Sequence, residues 1–260
     1  MSATFGSDSP GPVVLLDSYS HVLRSEIVGD DFQLSVLPPP SYQGSTDDYP
    51  VVYALDGPFT FGLIAHGSLL LVFDQMVPEM IVVSIGKPLA SMYEWGPTRG
   101  RDYSPAPLPD DEGAGHADTF AECLVHEIIP FVEERYRARS GDRTLSGHSL
   151  GGVFALHVLF QRPGVFQRYL AISPAVASPA VRLIDSATLP PPGTQVPARL
   201  FTCIGTADHE YRDGAEQLRD ELVGREYRDL RYEHATYPGL QHIATGAYGF
   251  LDGLRSVFAD

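Results

Sequence analysis

Leu145-Ser146-Gly147-His148-Ser149-Leu150-Gly151-Gly152 is the stretch on which the reading of this chain turns. It carries the pattern G-x-S-x-G, with a short strand-like run before it (Arg143 to Ser146) and an apolar helical run, Gly151 to Phe160, behind it. In that context a serine sits at the apex of a tight strand-to-helix turn, its backbone strained and its Oγ presented to the outside. A side chain at position 147 or 151 would collide where strand and helix nearly touch, so both are expected to require glycine. With 25 glycines in 260 residues, composition alone gives roughly 0.1 to 0.2 matches to the pattern. The preceding strand, the following helix and the extra Gly152 make chance a poor account. Ser149 is the expected nucleophile, and the N–H of Leu150 at the helix start faces the charge that develops on the attacked oxygen. His148 fills a variable position and reads as structural.

Working outward, Val51-Val52-Tyr53-Ala54-Leu55 and Met80 to Ile85 are short apolar runs bounded by turn residues. Such runs suit strands buried on both faces of a largely parallel sheet. Asp31 to Leu37 alternates and ends at Pro38-Pro39-Pro40, predicting an earlier, half-exposed strand. Phe59 to Phe73 is a predicted helix, and a second, amphipathic one carries Phe120, Leu124, Ile128 and Phe131 on one face, with Pro130 expected to kink it or weaken its last turns. Further strands are predicted at Tyr169 to Ser173, Arg199 to Ile204 and Leu230 to Thr236, and helices at Gly214 to Val223 and Ala247 to Phe258. Strand–helix alternation of this kind predicts an α/β fold in three layers, with a mostly parallel central sheet and helices on both faces. Nothing marks a second domain, so residues 1–260 are expected to form one, with 1–11 frayed and 88–117 a long loop near the site.

A proton acceptor and an orienting carboxylate are expected after later strands, in the order serine, acid, histidine. His242 follows the Leu230–Thr236 strand by a short loop and precedes the last helix, whereas His234 lies within the strand. For the acid, Gly205-Thr206-Ala207-Asp208-His209-Glu210 offers Asp208, favoured by its place just past a glycine turn, and Glu210.

Composition excludes several classes. A net charge of −15 disfavours nucleic acid and anionic membrane surfaces as partners. Cys123 and Cys203 are too few for a disulfide framework and read as packing residues. The start lacks a signal-peptide pattern and no apolar run approaches a membrane span, so a cytoplasmic chain is expected. No helix pairs histidines at ligand spacing and no phosphate-binding glycine loop is present, so neither metal nor cofactor is expected.

Several segments together resemble the putative esterase family of the α/β-hydrolase superfamily, related to trilactone siderophore esterases and to esterase D (S-formylglutathione hydrolase). They are Tyr49 to Gly57, Arg101-Asp102-Tyr103-Ser104-Pro105, Arg135-Tyr136-Arg137, Ser146 to Gly152, Ser173-Pro174 and Gly239-Leu240-Gln241-His242. The resemblance implies Ser149 as nucleophile, His242 as base and Asp208 as acid, acting on a small ester or thioester through an acyl-enzyme. It also implies a second oxyanion donor after Leu55-Asp56-Gly57. Pro58 has no N–H, which leaves Gly57 or Phe59 for that role, or a weaker hole. Trp95, Arg101 and Tyr103 are the expected substrate-binding residues, Arg101 toward an anionic group or, as readily, in a salt bridge to Asp102 or another loop carboxylate. Two alternatives are carried: acyl transfer or macrolactone processing by the same three residues, and an inactive hydrolase fold that only binds.

Overall fold

The computed structural model describes residues 15, 17–88, 96, 98–176 and 188–259. Eight strands form one sheet in the order β1-β2-β4-β3-β5-β6-β7-β8. They are β1 (Tyr19–Arg24), β2 (Asp31–Leu37), β3 (Tyr49–Ala54), β4 (Ile81–Gly86), β5 (Ala138–His148), β6 (Arg168–Ile172), β7 (Gln195–Gly205) and β8 (Arg228–Tyr237). β1 and β2, and β2 and β4, pair antiparallel; every other neighbouring pair is parallel.

Parallel neighbours need crossover connections, and helices follow β3, β4, β5 and β7 as well as β8. These are α1 (Gly57–Phe73), α2 (Arg99–Tyr103), α3 (Ala117–Cys123), α4 (Ile129–Arg135), α5 (Leu150–Gln161), α6 (Arg212–Gly224) and α7 (His242–Phe258). α1 and α7 cover one face of the sheet, and α3 to α6 the other. The central strands feed both faces in strict alternation. Val51 and Tyr53 point into one core while Val52 and Ala54 point into the other, and Tyr169 and Ala171 oppose Leu170 and Ile172. Continuous apolar runs are what a strand covered on both sides needs. None of the described helices is long and apolar enough to cross a membrane.

Three departures from the sequence-based expectation have physical causes. β3 and β7 begin earlier than the apolar runs, at Tyr49 and Gln195, and each ladder shifts register as it passes a proline, Pro50 and Pro197. A bulge lets a strand accommodate a residue with no N–H. The amphipathic helix widens into a π-helical stretch, Leu124–Ile128, just before Pro130. β1 lies at the sheet edge, with Tyr19 and Val22 exposed, and leaves little hydrophobic pattern to read. The long segment 88–117 is not structureless either, because α2 lies within it.

Candidate active site

β3, β5, β6, β7 and β8 are consecutive neighbours, so their carboxyl ends form one row. Asp56 and Gly57 leave β3, His148 to Leu150 leave β5, Ser173 leaves β6, Asp208 leaves β7 and His242 leaves β8. Neighbouring strands lie about 4.8 Å apart, so residues far apart in the chain meet along this edge.

At the β5–α5 turn Ser149 has φ 59° and ψ −120°, a conformation costing an L-residue about 1–3 kcal/mol. The turn is clamped: the Ser149 N–H donates to Ile172 O at 2.9 Å, and its carbonyl accepts from Val153 and Ala175 N–H at 3.1 and 3.2 Å. A Cβ at Gly147 would be driven into the backbone carbonyl of Gly151. Gly151 itself has more room than expected, since a Cβ there meets only ordinary contacts near 3.5 Å; the tighter neighbour is Gly152, 3.2 Å from Ile172 O and Pro174.

His242 is the first residue of α7 rather than the last of the preceding loop. Its Nδ1–H donates to Asp208 Oδ2 at 2.7 Å. Asp208 is 3% exposed, and its other oxygen accepts the Tyr211 N–H at 3.3 Å. Glu210, the alternative acid, is exposed. The imidazole lies between two rings, His148 at 4.7 Å and Tyr211 at 4.6 Å between centroids. Burial pushes the Tyr211 phenol up to about 12, so it stays neutral beside the imidazole. His242 Nε2 is buried and has no hydrogen-bond partner among the described residues, Ser149 included. With Nδ1–H committed to Asp208, Nε2 is a bare acceptor. Leaving such a group buried and unpaired costs about 1–3 kcal/mol.

Across the row, Asp56 adopts a left-handed φ of 62° and is 3% exposed. Arg99 meets it with both ends of its fork, Nε to Oδ1 at 2.8 Å and Nη2 to Oδ2 at 3.1 Å, and Nη2 also donates to His148 O at 3.2 Å. Burial works against the guanidinium charge, but the Asp56 carboxylate overrides it and leaves the Arg99 pKa raised. The pair ties the β3–α1 turn to the nucleophile turn. Gly57 and Leu150 are the first residues of α1 and α5, where backbone N–H groups have no intrahelical acceptor. Phe59 N–H does have one, Asp56 O at 3.1 Å. Pro58 falls in the first helical turn, where a missing N–H breaks no ladder bond.

Of the expected substrate-binding residues, Arg101 takes the salt-bridge alternative. It is engaged by Asp102 (Nε to Oδ1, 2.7 Å) and Asp30 (Nη2 to Oδ2, 2.9 Å). Those carboxylates supply the charge that the other alternative placed on a ligand. Tyr103 is 5% exposed and its OH accepts the Asp56 N–H at 3.3 Å, so it braces the β3–α1 turn rather than facing a ligand. Trp95 lies outside the described residues, as do residues 1–11. Sequence reading placed Arg99, with Trp95 and Arg101, near the pocket mouth but missed its pairing with Asp56, and it missed Ser173 and Tyr211 as parts of the site. An apolar cavity of about 240 Å³ opens between α1 and α7, lined by Phe59, Leu63, Ile64, Ile243, Ala247 and Phe250. It lies behind the nucleophile turn, and Ser149 is not among its lining residues.

His148 donates from Nε2 to the His242 carbonyl at 2.9 Å. Burial, with the neighbouring His242, lowers its pKa from 6.5 to about 4. His234 on β8, bonded through Nδ1 to Thr202 Oγ1 at 2.8 Å, is lowered to about 4 by burial and by Arg219. Between pH 6.5 and 4 the unfolded chain therefore binds more protons than the folded one at these two positions. Stability falls as pH is lowered through that window, with a slope approaching two protons. Urea unfolding midpoints at pH 7.0, 5.5 and 4.5 test this. His234→Asn, which keeps a group near the Nδ1 position, should reduce the slope by about one proton; a midpoint flat from pH 7.0 to 4.5 would contradict it.

Comparison with known proteins agrees with this architecture. The family model described as "Putative esterase" matches residues 25–223. Ferri-bacillibactin esterase BesA of Bacillus subtilis is 26% identical over 233 residues, covering 81% of this chain and 77% of that protein. The siderophore triacetylfusarinine C esterase of Aspergillus fumigatus is 30% identical over 174 residues, 65% of this chain and 59% of its own length. Among solved structures, the BES protein from Bacillus cereus superposes with a TM-score of 0.83 at 23% identity, over 97% of this chain and 100% of that one. The fold is that of the α/β hydrolases, and the chain belongs to the Esterase family.

Proposed function

We propose that this protein is a serine hydrolase that opens carboxylic esters through an acyl-enzyme. Ser149 attacks the carbonyl. His242 Nε2 takes its proton and later returns it to the leaving alcohol, and Asp208 holds the imidazole in the Nδ1–H tautomer and balances its charge. The N–H groups of Leu150 and Gly57 receive the oxyanion, held at a working separation by the Arg99 bridge between their turns. The Ser149–Nε2 hydrogen bond is absent in the resting chain and forms as substrate docks.

One observation carries the reading: a buried, unpartnered Nε2 whose ring is oriented by a buried carboxylate, beside a strained serine. For substrate, the named activities of the relatives favour a siderophore ester. The test is incubation of the purified chain with triacetylfusarinine C, a catecholate trilactone and p-nitrophenyl acetate, products being read by liquid chromatography–mass spectrometry. Linearised siderophore is expected from at least one macrocycle, and p-nitrophenol from the small ester. Wild-type release no faster than that of Ser149→Ala on all three would contradict the assignment.

A further inference from the structure

Ser173 closes β6 with features that a residue merely ending a strand does not need. It is fully buried, and its backbone lies at φ 42°, in the region that favours glycine. Its N–H donates to Cys203 O at 3.0 Å, which fixes it against β7. Its Oγ lies 3.0 Å from Asp208 Oδ2 and 3.3 Å from His242 Nδ1. Since Nδ1–H already points at the same Oδ2 from 2.7 Å, the three atoms form a triangle with two donors on one oxygen.

We propose that Ser173 is a positioning residue of the site, whose hydroxyl holds Asp208 turned toward His242 and moderates the charge that the imidazole feels. The inference rests on the proposed roles of Ser149, Asp208 and His242. The Ser173 proton goes to Oδ2, because a carboxylate is the strongest acceptor within reach and Nδ1 has no free lone pair. The carboxylate is then pinned from two sides, Ser173 on Oδ2 and the Tyr211 N–H on Oδ1. Strain at a buried polar residue persists only where its surroundings over-determine it. Here the determinant is the hydrogen bond, since a glycine would satisfy the backbone better.

Removing the hydroxyl concentrates the charge of Oδ2 on the imidazole, which favours the protonated ring. A base that must be neutral to work then needs a higher pH. The other groups facing His242 are unchanged: Asp208 and Tyr211 from the β7–α6 connection and His148 from the end of β5. Arg99 of α2 acts on Tyr211 and His148, and Glu210 is bonded to Tyr211.

The experiment compares wild type, Ser173→Ala and Ser173→Gly for kcat and KM on p-nitrophenyl acetate from pH 5 to 9, with thermal melts alongside. Both variants should move the acid limb of kcat/KM upward by about half to one pH unit. They should lower kcat roughly 3- to 30-fold with KM nearly unchanged, as expected for about one lost hydrogen bond. Ser173→Gly, which fits the left-handed backbone, should melt no lower than wild type, so its loss of rate is not a loss of fold. An acid limb that stays in place in Ser173→Gly, with Ser149→Ala and Asp208→Asn both inactive, would overturn the role of Ser173 and leave the triad standing. Undiminished turnover in Ser149→Ala or Asp208→Asn would instead remove the triad on which it rests.

Discussion

Ser149→Ala loses turnover by about 10⁶-fold in kcat, while Ser149→Gly, equally inactive, becomes more stable than the parent. Both halves follow from one geometry. The hydroxyl is the only nucleophile at the apex of the β5–α5 turn, and neither substitution leaves an atom that can form the acyl bond. The backbone at φ 59° and ψ −120° is held by three hydrogen-bonded neighbours and the closeness of Gly147 to Gly151, not by the serine side chain. Glycine adopts that conformation without strain, so it recovers part of the roughly 1–3 kcal/mol stored there. In a domain of this size each kcal/mol raises Tm by about 2–4 °C. Differential scanning calorimetry and ester turnover on the same preparations give both readings. A Ser149→Gly protein that melts below wild type would mean that the turn depends on its side chain.

Asp208→Asn lowers kcat by about 10⁴-fold near neutral pH, and Glu210→Gln changes it by less than about twofold. The asparagine has nearly the shape of the aspartate but one oxygen in place of two, so only one of the Tyr211 N–H and the Ser173 hydroxyl keeps its acceptor. Also lost is the negative charge at 2.7 Å from Nδ1. An amide that turns its NH₂ toward the ring also forces the opposite tautomer, which puts the proton on Nε2, where a lone pair is required. Glu210 has no such contact with the ring and is exposed. Stopped-flow or steady-state kinetics on the two variants separates the carboxylates; equal losses would mean that both take part.

Much of this site was legible in the chain because its chemistry is attached to local pattern. Gly147-His148-Ser149-Leu150-Gly151 encodes its own turn. Asp208 and His242 each follow an apolar strand by a short connection, and strand order brings them together. The partners that brace these residues were harder to see because they are set by packing between distant segments. Arg99 and Asp56 are 43 positions apart, and α2, which carries Arg99, lies in a segment without hydrophobic period. Arg99 and Arg101 also show how two arginines of one segment take different partners. Residues two apart on a helix point about 200° from each other, so one reaches Asp56 and the other Asp30 and Asp102 on the opposite side. Ser173 stood in a quoted motif, but no linear pattern states that its hydroxyl would meet a carboxylate 35 residues later. The strands that run through Pro50 and Pro197 were shortened in the reading because proline argues against a strand, and only the sheet reveals the bulge that admits it.

The central claim is that Ser149 is activated by His242 and Asp208. Its most direct test is covalent labelling with a fluorophosphonate, the intact mass and the modified peptide being read by mass spectrometry. One adduct per chain, located on Ser149, is predicted, absent from Ser149→Ala and formed far more slowly in His242→Ala and Asp208→Asn. A wild-type protein that cleaves esters yet takes no label at Ser149, or is labelled at another residue at the rate of its inactivation, would contradict the account.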